Sequence, residues 1–374
     1  MDSGARAAAQ PQRVAEAFAI EGRWLSSSPF GGGHINETLL AEFEARGRRA
    51  RYVQQRINQS VFREPAQVMT NIARVVAHQR RALEREGVRD LERRVLELVP
   101  ARDGALAWLD EHGETWRCWR LIEGAESRDV VRGPADARAA AHAFGRFLAQ
   151  LGDLPAPRLF ETIPRFHDAR LRFEQLETAV RADARGRLAD CRAEVDLALA
   201  REPLVARIES LIRSGALRER VTHNDTKLNN VLLDARSGDG LCVIDLDTVM
   251  PGYALYDFGD LARTAASRAA EDERDLARVA VEPELFAALF EGYVRGAGAG
   301  LDAAERRELA FGARLMTFVI GIRFLADHLR GDDYFRIHRP GHNLDRARVQ
   351  LALVADFERK AEQLEALTSS LSLY

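Results

Sequence analysis

The stretch "THNDTKLNNVLLD", residues 222–234, carries an unusual load for a segment between two apolar runs: a His, an Asp, a Lys and three Asn within His223–Asn230. The residues just downstream explain it. "NVLLD" (230–234) reads as a strand, "RSGDG" (236–240) as a turn and "LCVID" (241–245) as the partner strand, so the hairpin returns Asp245 to the side of Asn230. An Asp and an Asn five residues apart on a tight loop, with a second Asp brought back by the hairpin, meet the needs of phosphoryl transfer. That reaction asks for a carboxylate to take the acceptor's proton, oxygen ligands for Mg²⁺ and cations on the phosphates. Mg²⁺ suits such a set, because it is bound by few carboxylates together with phosphate oxygens and water.

A literal D-F-G occurs further on, in "YDFGD" (256–260), and it invites a different assignment. Asp257 lies 27 residues after Asn230 (257 − 230), whereas Asp245 lies 15 after it (245 − 230), and only the shorter interval fits one hairpin. The D-F-G is therefore expected to start a helix, with Asp257 or Asp260 capping it or bracing the loop. His223 is expected to hold backbone rather than to catalyse.

The whole chain bounds the partners. Its 374 residues are enough for two lobes with a core each. A net charge of −3 with 30% charged residues leaves no basic footprint for nucleic acid or an anionic membrane. Cys118, Cys191 and Cys242 show no paired spacing, which argues against a disulfide frame or a zinc site and for a reducing, cytoplasmic setting. The start "MDSGARAAAQPQ" has no apolar core of a signal peptide. "LMTFVIGIRFLA" (315–326) is short for a membrane span and is interrupted by Arg323.

Along the chain, "GRWLSSSPFGGGHINETLLAEFEA" reads as two apolar runs about a glycine cluster, and "RARYVQQRIN" as a third strand. "PAQVMTNIARVVAHQRRALERE" is helical, with Val68, Ile72, Val75, Val76 and Leu83 on one stripe. "RRVLELVP", "ALAWLDEHG" and "TWRCWRLIEG" predict three strands of a meander, with "EHGE" as a hairpin turn. After Glu123 helical spacing takes over, as in "PADARAAAHAFGRFLAQLGD" with Phe144, Phe147, Leu148 and Leu151. The expected organisation is a tail over residues 1–12, a β-rich lobe over 13–122, a hinge near "IEGAES" and a larger, mostly helical lobe over 123–374.

H-x-D-x-x-x-x-N, a hairpin and I-D resemble the kinase catalytic loop and its metal aspartate. I-D-L-D in place of D-F-G resembles the aminoglycoside phosphotransferase and choline kinase superfamily. The longer string "THNDTKLNNVLLD…CVIDLDTVMPGYALYDFGDLAR", with "GGGHINET" (31–38) and "GIRFLADHLRGDDYF" (321–335), is similar to the N-acetylhexosamine 1-kinases from about residue 15 to about 360. The resemblance implies an α+β, two-lobed, protein-kinase-like (aminoglycoside phosphotransferase-like) fold, with a small β-rich N-lobe and a large helical C-lobe. It implies ATP and Mg²⁺ as cofactors, Asp225 as the catalytic base or hydroxyl-orienting carboxylate, and Lys227 on the γ-phosphate. Asn230 and Asp245 become the Mg²⁺ ligands, with Asp247 joining through water or a second ion. Arg323 and Tyr334, with His34 as a further candidate, become contacts to sugar hydroxyl and acetamido groups.

The phosphate end is placed by position. Gly31, Gly32 and Gly33 form a turn whose backbone can approach phosphates, and it lacks the G-K-[ST] of a P-loop. Arg56 is the cation that the third strand offers where kinases carry a lysine, and Glu123 and Gly124 are the hinge residues expected against adenine. Arg323 lies in an apolar helical run, so its guanidinium requires a carboxylate or a polar ligand. Rival acceptors are an aminoglycoside, choline, methylthioribose or homoserine. A pseudokinase would be expected to lose Asp225, Asn230 or Asp245, and all three are present. The expected partners are ATP and a small sugar, with no nucleic acid and no membrane, on a monomer.

Overall fold

Strand alternation and the glycine turns account for the amino-terminal unit. In the computed structural model, which describes residues 11–31 and 35–371, a short helix α1 (Pro11–Glu16) precedes β1 (Arg23–Pro29), β2 (Glu37–Ala45) and β3 (Arg48–Arg56). Residues 11 and 12, read above as tail, thus begin a helix, and Val14, Ala15, Phe18 and Ile20 behind them enter the core with Leu39, Ala41 and Phe43. Every second residue of β2 is buried from Leu39 to Phe43, the mark of a strand with one face inward. Arg46 and Gly47 both have positive φ and join β2 to β3 in a two-residue hairpin turn. The helix α2 (Pro65–Arg85) buries Val68, Ile72, Val75, Val76 and Leu83, as the stripe predicts. Beyond α3 (Leu91–Arg94), the strands β4 (Leu98–Val99), β5 (Trp108–Leu109) and β6 (Thr115–Arg120) complete an antiparallel sheet. They are not a meander. β4 and β5 are two residues each and both pair with β6, at Trp119/Cys118 and Trp116/Thr115, giving the order β1-β2-β3-β6-β4.

The chain divides into two compact units after Gly124 rather than after residue 122, and Leu246–Thr248 belongs to the first of them. In the second unit β7 (Ala125–Glu126) leads to α4 (Pro134–Gln150), α5 (Ala169–Ala182), α6 (Arg192–Leu199) and α7 (Glu202–Arg213). Then come β8 (Arg220–Thr222), β9 (Val231–Asp234), β10 (Gly240–Val243) and β11 (Met250–Gly252). The unit closes with α8 (Ala254–Ala265), α9 (Pro283–Ala297), α10 (Ala303–Arg330), α11 (His342–Arg359) and α12 (Ala361–Leu371). The strands form two small sheets, β10-β9-β7 and β11-β8, and the remainder is helices with the loops that join them. Helices α4 and α9 approach closely because glycine faces backbone. A Cβ on Gly145 would lie 2.2 Å from the carbonyl oxygen of Tyr293, and one on Gly296 would lie 2.3 Å from that of His142.

The apolar run around Arg323 is part of α10, a helix of 28 residues held at its start by a capping box of Asp302 and Glu305. It is long and apolar enough to cross a membrane, contrary to the expectation from the shorter run. Yet 89% of its most apolar window is buried inside the fold, as in a core helix. All three cysteines are buried.

Candidate active site

The β9–β10 hairpin sets the geometry of the loop before it. Val231 pairs with Val243, and the Ile244 N–H donates to the Asn230 carbonyl at 2.9 Å, so Asn230 and Asp245 emerge together at the hairpin's open end. Asp245 sits at φ 60°, a left-handed conformation that Asp tolerates better than most residues and that concentrates at functional sites. The Asn230 Nδ2 donates to the Asp225 carbonyl at 2.7 Å and to its Oδ2 at 2.9 Å, which turns the amide oxygen away from Asp225. Lys227 Nζ lies 3.1 Å from the same Oδ2.

Charge decides the protonation of this group. Burial, the largest single influence, pushes the Asp225 carboxyl up, but Lys227, His223 and Arg263 together outweigh it and leave the group below its usual range. Burial pulls Lys227 down, and Asp225, Asp245 and Asp260 around it more than restore it, so it stays charged. The centre is therefore an ionised carboxylate beside a cation, with an amide and a second carboxylate adjoining.

The loop is braced from behind. His223 Nε2 donates to the Ile244 carbonyl at 2.9 Å, while its Nδ1 accepts from the Asp225 N–H at 3.2 Å, so both ring nitrogens are used on backbone. Phe144 and Phe147 pack edge-on to its ring. Asn224, at φ 64°, holds the Met250 and Thr222 carbonyls with its side chain. Gly252 faces it from β11, where a Cβ would come within 2.3 Å of Thr222 Oγ1 and 2.7 Å of Asn224 Oδ1.

The D-F-G lies inside α8. Asp257 is buried in its first turn and accepts from the backbone N–H groups of His223 at 2.9 Å and Asn224 at 2.7 Å. Burial pushes its carboxyl up to about 6, with His223 and the two N–H groups drawing it back. Asp257→Ala strands two buried N–H groups, at about 1–3 kcal/mol each. The expected result is a clearly lower melting temperature with an unchanged Mg²⁺ requirement; a stable variant with a raised Mg²⁺ requirement would make Asp257 a ligand instead.

On α10, Arg323 is 8% exposed and, among the described residues, forms no ion pair. A carboxylate or a polar ligand was expected beside it; the fold adds aromatic faces, those of Phe166, Phe335 and Tyr334. Its Nη2 donates to the Tyr334 hydroxyl at 3.4 Å. Asp327, one turn further along α10, accepts from the N–H groups of Tyr334 and Phe335 and so fixes the loop that carries them. His167 donates from Nε2 to the Asn224 carbonyl at 2.8 Å, tying the Phe166–His167 pair to the residue before Asp225. Phe166, His167 and Asp327 are not legible in the sequence, since nothing local distinguishes them from ordinary core and loop residues.

The amino-terminal unit holds the remaining candidates. Gly31 has φ 76°, as a glycine turn requires, and Gly32, Gly33 and His34 lie outside the described residues. Arg56 is paired with Glu37 at 2.9 Å and Glu114 at 3.1 Å. Glu123 accepts from Arg51 Nε at 3.0 Å, and the Gly124 carbonyl accepts from Arg93 at 3.2 Å. Asp247, expected as a third metal ligand, is 2% exposed, with its carboxylate held by both Arg117 Nη groups and by Asn36 Nδ2 at 2.7 Å. Those bonds engage both carboxylate oxygens with a guanidinium and an amide. Arg117, on β6 and 1% exposed, is thus the buried cation of this unit. Its only sequence signal is a charge inside the apolar alternation "TWRCWR".

Comparison with known proteins places these observations. Residues 26–311 match the model of the phosphotransferase enzyme family. Among solved structures, an aminoglycoside phosphotransferase from Alicyclobacillus acidocaldarius is similar at 15% identity and TM-score 0.57, covering 97% of this chain and 95% of that one. A choline kinase from Cryptosporidium parvum is similar at 12% identity and TM-score 0.55, covering 94% of each chain. A Plasmodium vivax ethanolamine kinase is similar at 14% identity and TM-score 0.53, covering 87% and 82%. At these identities the likeness speaks for the fold.

Proposed function

The chain belongs to the phosphotransferase enzyme family, and on that premise we propose that it is an ATP- and Mg²⁺-dependent kinase acting on the anomeric 1-hydroxyl of an N-acetylhexosamine, GlcNAc or GalNAc. The observation that carries the reading is the Asp225 carboxylate held between Lys227 and Asn230, with Asp245 delivered beside them by the hairpin.

Asp225 orients the acceptor hydroxyl and takes its proton; an anomeric hydroxyl is more acidic than an ordinary alcohol, so a carboxylate of low basicity suffices. Lys227 is the cation that meets the transferred phosphoryl group. Asn230 and Asp245 fit Mg²⁺, being oxygen donors with a single carboxylate, for an ion that completes its shell with phosphate and water. Among the described residues no three His, Cys, Asp or Glu side chains cluster to cage an ion, which agrees with a metal that arrives with its nucleotide. When bound, Mg²⁺ neutralises charge on the phosphates. Asp247 is left out of this set because Arg117 and Asn36 occupy it.

The sugar's identity is supported by the likeness of "GIRFLADHLRGDDYF" and the catalytic string to the N-acetylhexosamine 1-kinases. Arg323 and Tyr334 supply donors for acceptor oxygens. A site built to bond an acetamido group leaves buried polar atoms unpaired when glucose or galactose enters, at about 1–3 kcal/mol each. Comparing kcat/KM for GlcNAc, GalNAc, glucose, choline and kanamycin tests this. The N-acetyl sugars are expected to lead the plain hexoses by about 10- to 100-fold; a lead for choline or kanamycin would sink the acceptor and leave the kinase.

A further inference from the structure

Three rings surround one cation in the carboxyl-terminal unit. The Arg323 guanidinium carbon lies 5.1 Å from the ring centre of Phe166, 5.3 Å from that of Phe335 and 5.6 Å from that of Tyr334. Aromatic faces within about 6 Å of a positive centre are the device by which proteins hold alkylammonium ligands. Here the seat is taken by a side chain that forms no ion pair among the described residues, though the Asp260 carboxylate acts on it through space, and its hydrogen bond to the Tyr334 hydroxyl is long, 3.4 Å.

The cage does not depend on its occupant. The backbone N–H groups of Tyr334 and Phe335 are held by the buried Asp327 at 3.0 and 2.9 Å, and Asn343 Nδ2 donates to the same carboxylate at 3.0 Å. Phe324 backs the Phe335 ring at 4.6 Å. Phe166 rests against His167 at 4.4 Å, and His167 holds the carbonyl of Asn224, next to Asp225. Tyr334 is 52% exposed, so one wall borders solvent. The cage is thus anchored to α10 on one side and to the catalytic loop on the other.

We infer that this is a cation seat filled by the protein's own guanidinium, and that Arg323 determines specificity by denying the acceptor site to organic cations. A choline or an aminosugar ammonium meets a seat already occupied and a like charge, and like-charge juxtaposition is a common way of rejecting wrong partners. A neutral, oxygen-rich acceptor meets the guanidinium's N–H edge instead. The inference rests on Arg323 and Tyr334 belonging to the acceptor side, as proposed above.

The test measures binding without turnover. Tetramethylammonium and guanidinium are titrated by calorimetry into wild type, Arg323→Ala and Arg323→Lys, with folding followed by circular dichroism and melting. Wild type and Arg323→Lys are expected to bind neither cation saturably at millimolar concentration, while Arg323→Ala binds both at least about tenfold more tightly. Should the alanine variant not fold, Arg323→Ser, short and uncharged so that the seat is vacated, takes its place with the same expectation. A folded, uncharged variant without that gain, or saturable tetramethylammonium binding by wild type, overturns the inference. A wild-type substrate that proves to be a neutral sugar without an N-acetyl group would sink the sugar assignment alone and leave the filled cage standing.

Discussion

Asp225→Asn is expected to fold and melt like wild type while turnover at saturating ATP and sugar falls by about 10²–10⁴-fold, the range for losing a general base. The amide keeps the size of the carboxylate, and its oxygen can still accept from Asn230 or Lys227, which lie at 2.9 and 3.1 Å from Oδ2. What it cannot do is take a proton. Lys227 also loses the nearest of its three carboxylates, so part of the loss is in the placement of the cation on the phosphoryl group. Steady-state rates beside a melting curve separate a catalytic from a structural role, because a merely structural aspartate would move the melt and spare kcat. Near-normal turnover in a folded variant would remove Asp225 from the role of base.

Asp245→Asn is expected to lose at least about 10²-fold in turnover at low Mg²⁺ and to recover only in part as Mg²⁺ is raised, since a transferring phosphoryl group without its cation forfeits several kcal/mol of stabilisation. Asn is the fitting replacement because Asp245 stands at φ 60°, where Asn is tolerated and alanine adds backbone strain to the lost ligand. The comparison with Asp257→Ala is what gives the result meaning. One aspartate accepts two backbone N–H groups behind the loop, and its loss shows in the melt. The other stands at the hairpin's open end, and its loss shows in the Mg²⁺ titration. An Asp245→Asn protein with wild-type Mg²⁺ dependence would contradict the assignment.

What the sequence reveals and what it hides divide by range. The hairpin from Val231 to Val243, the stripe of α2 and the apolar face of α4 depend on residues a few positions apart, and all three stand in the structure as expected. The separation of Asp245 from the D-F-G aspartate followed from an interval along the chain. The pairing of Asp247 was not legible because its partner, Arg117, is 130 residues away on β6, and a buried ion pair leaves no local pattern. The pairs that Arg56 makes are equally hidden from the sequence, since Glu37 and Glu114 reach it from β2 and from the turn before β6. The start of α1 reads as tail because its buried side chains, Val14 and Ala15, are too few to set a periodicity. Phe166, Asp327 and His167 gain their roles only when α5's leading loop, α10 and the catalytic loop meet.

The position of the transferred phosphate tests the proposed reaction head-on. Wild-type protein incubated with ATP, Mg²⁺ and GlcNAc or GalNAc is followed by phosphorus–proton correlation NMR. The expected products are ADP and a sugar monophosphate whose phosphorus couples to the anomeric proton. Coupling to the C6 protons, or ATP consumption without any phosphorylated sugar, would contradict the assignment of an anomeric sugar kinase.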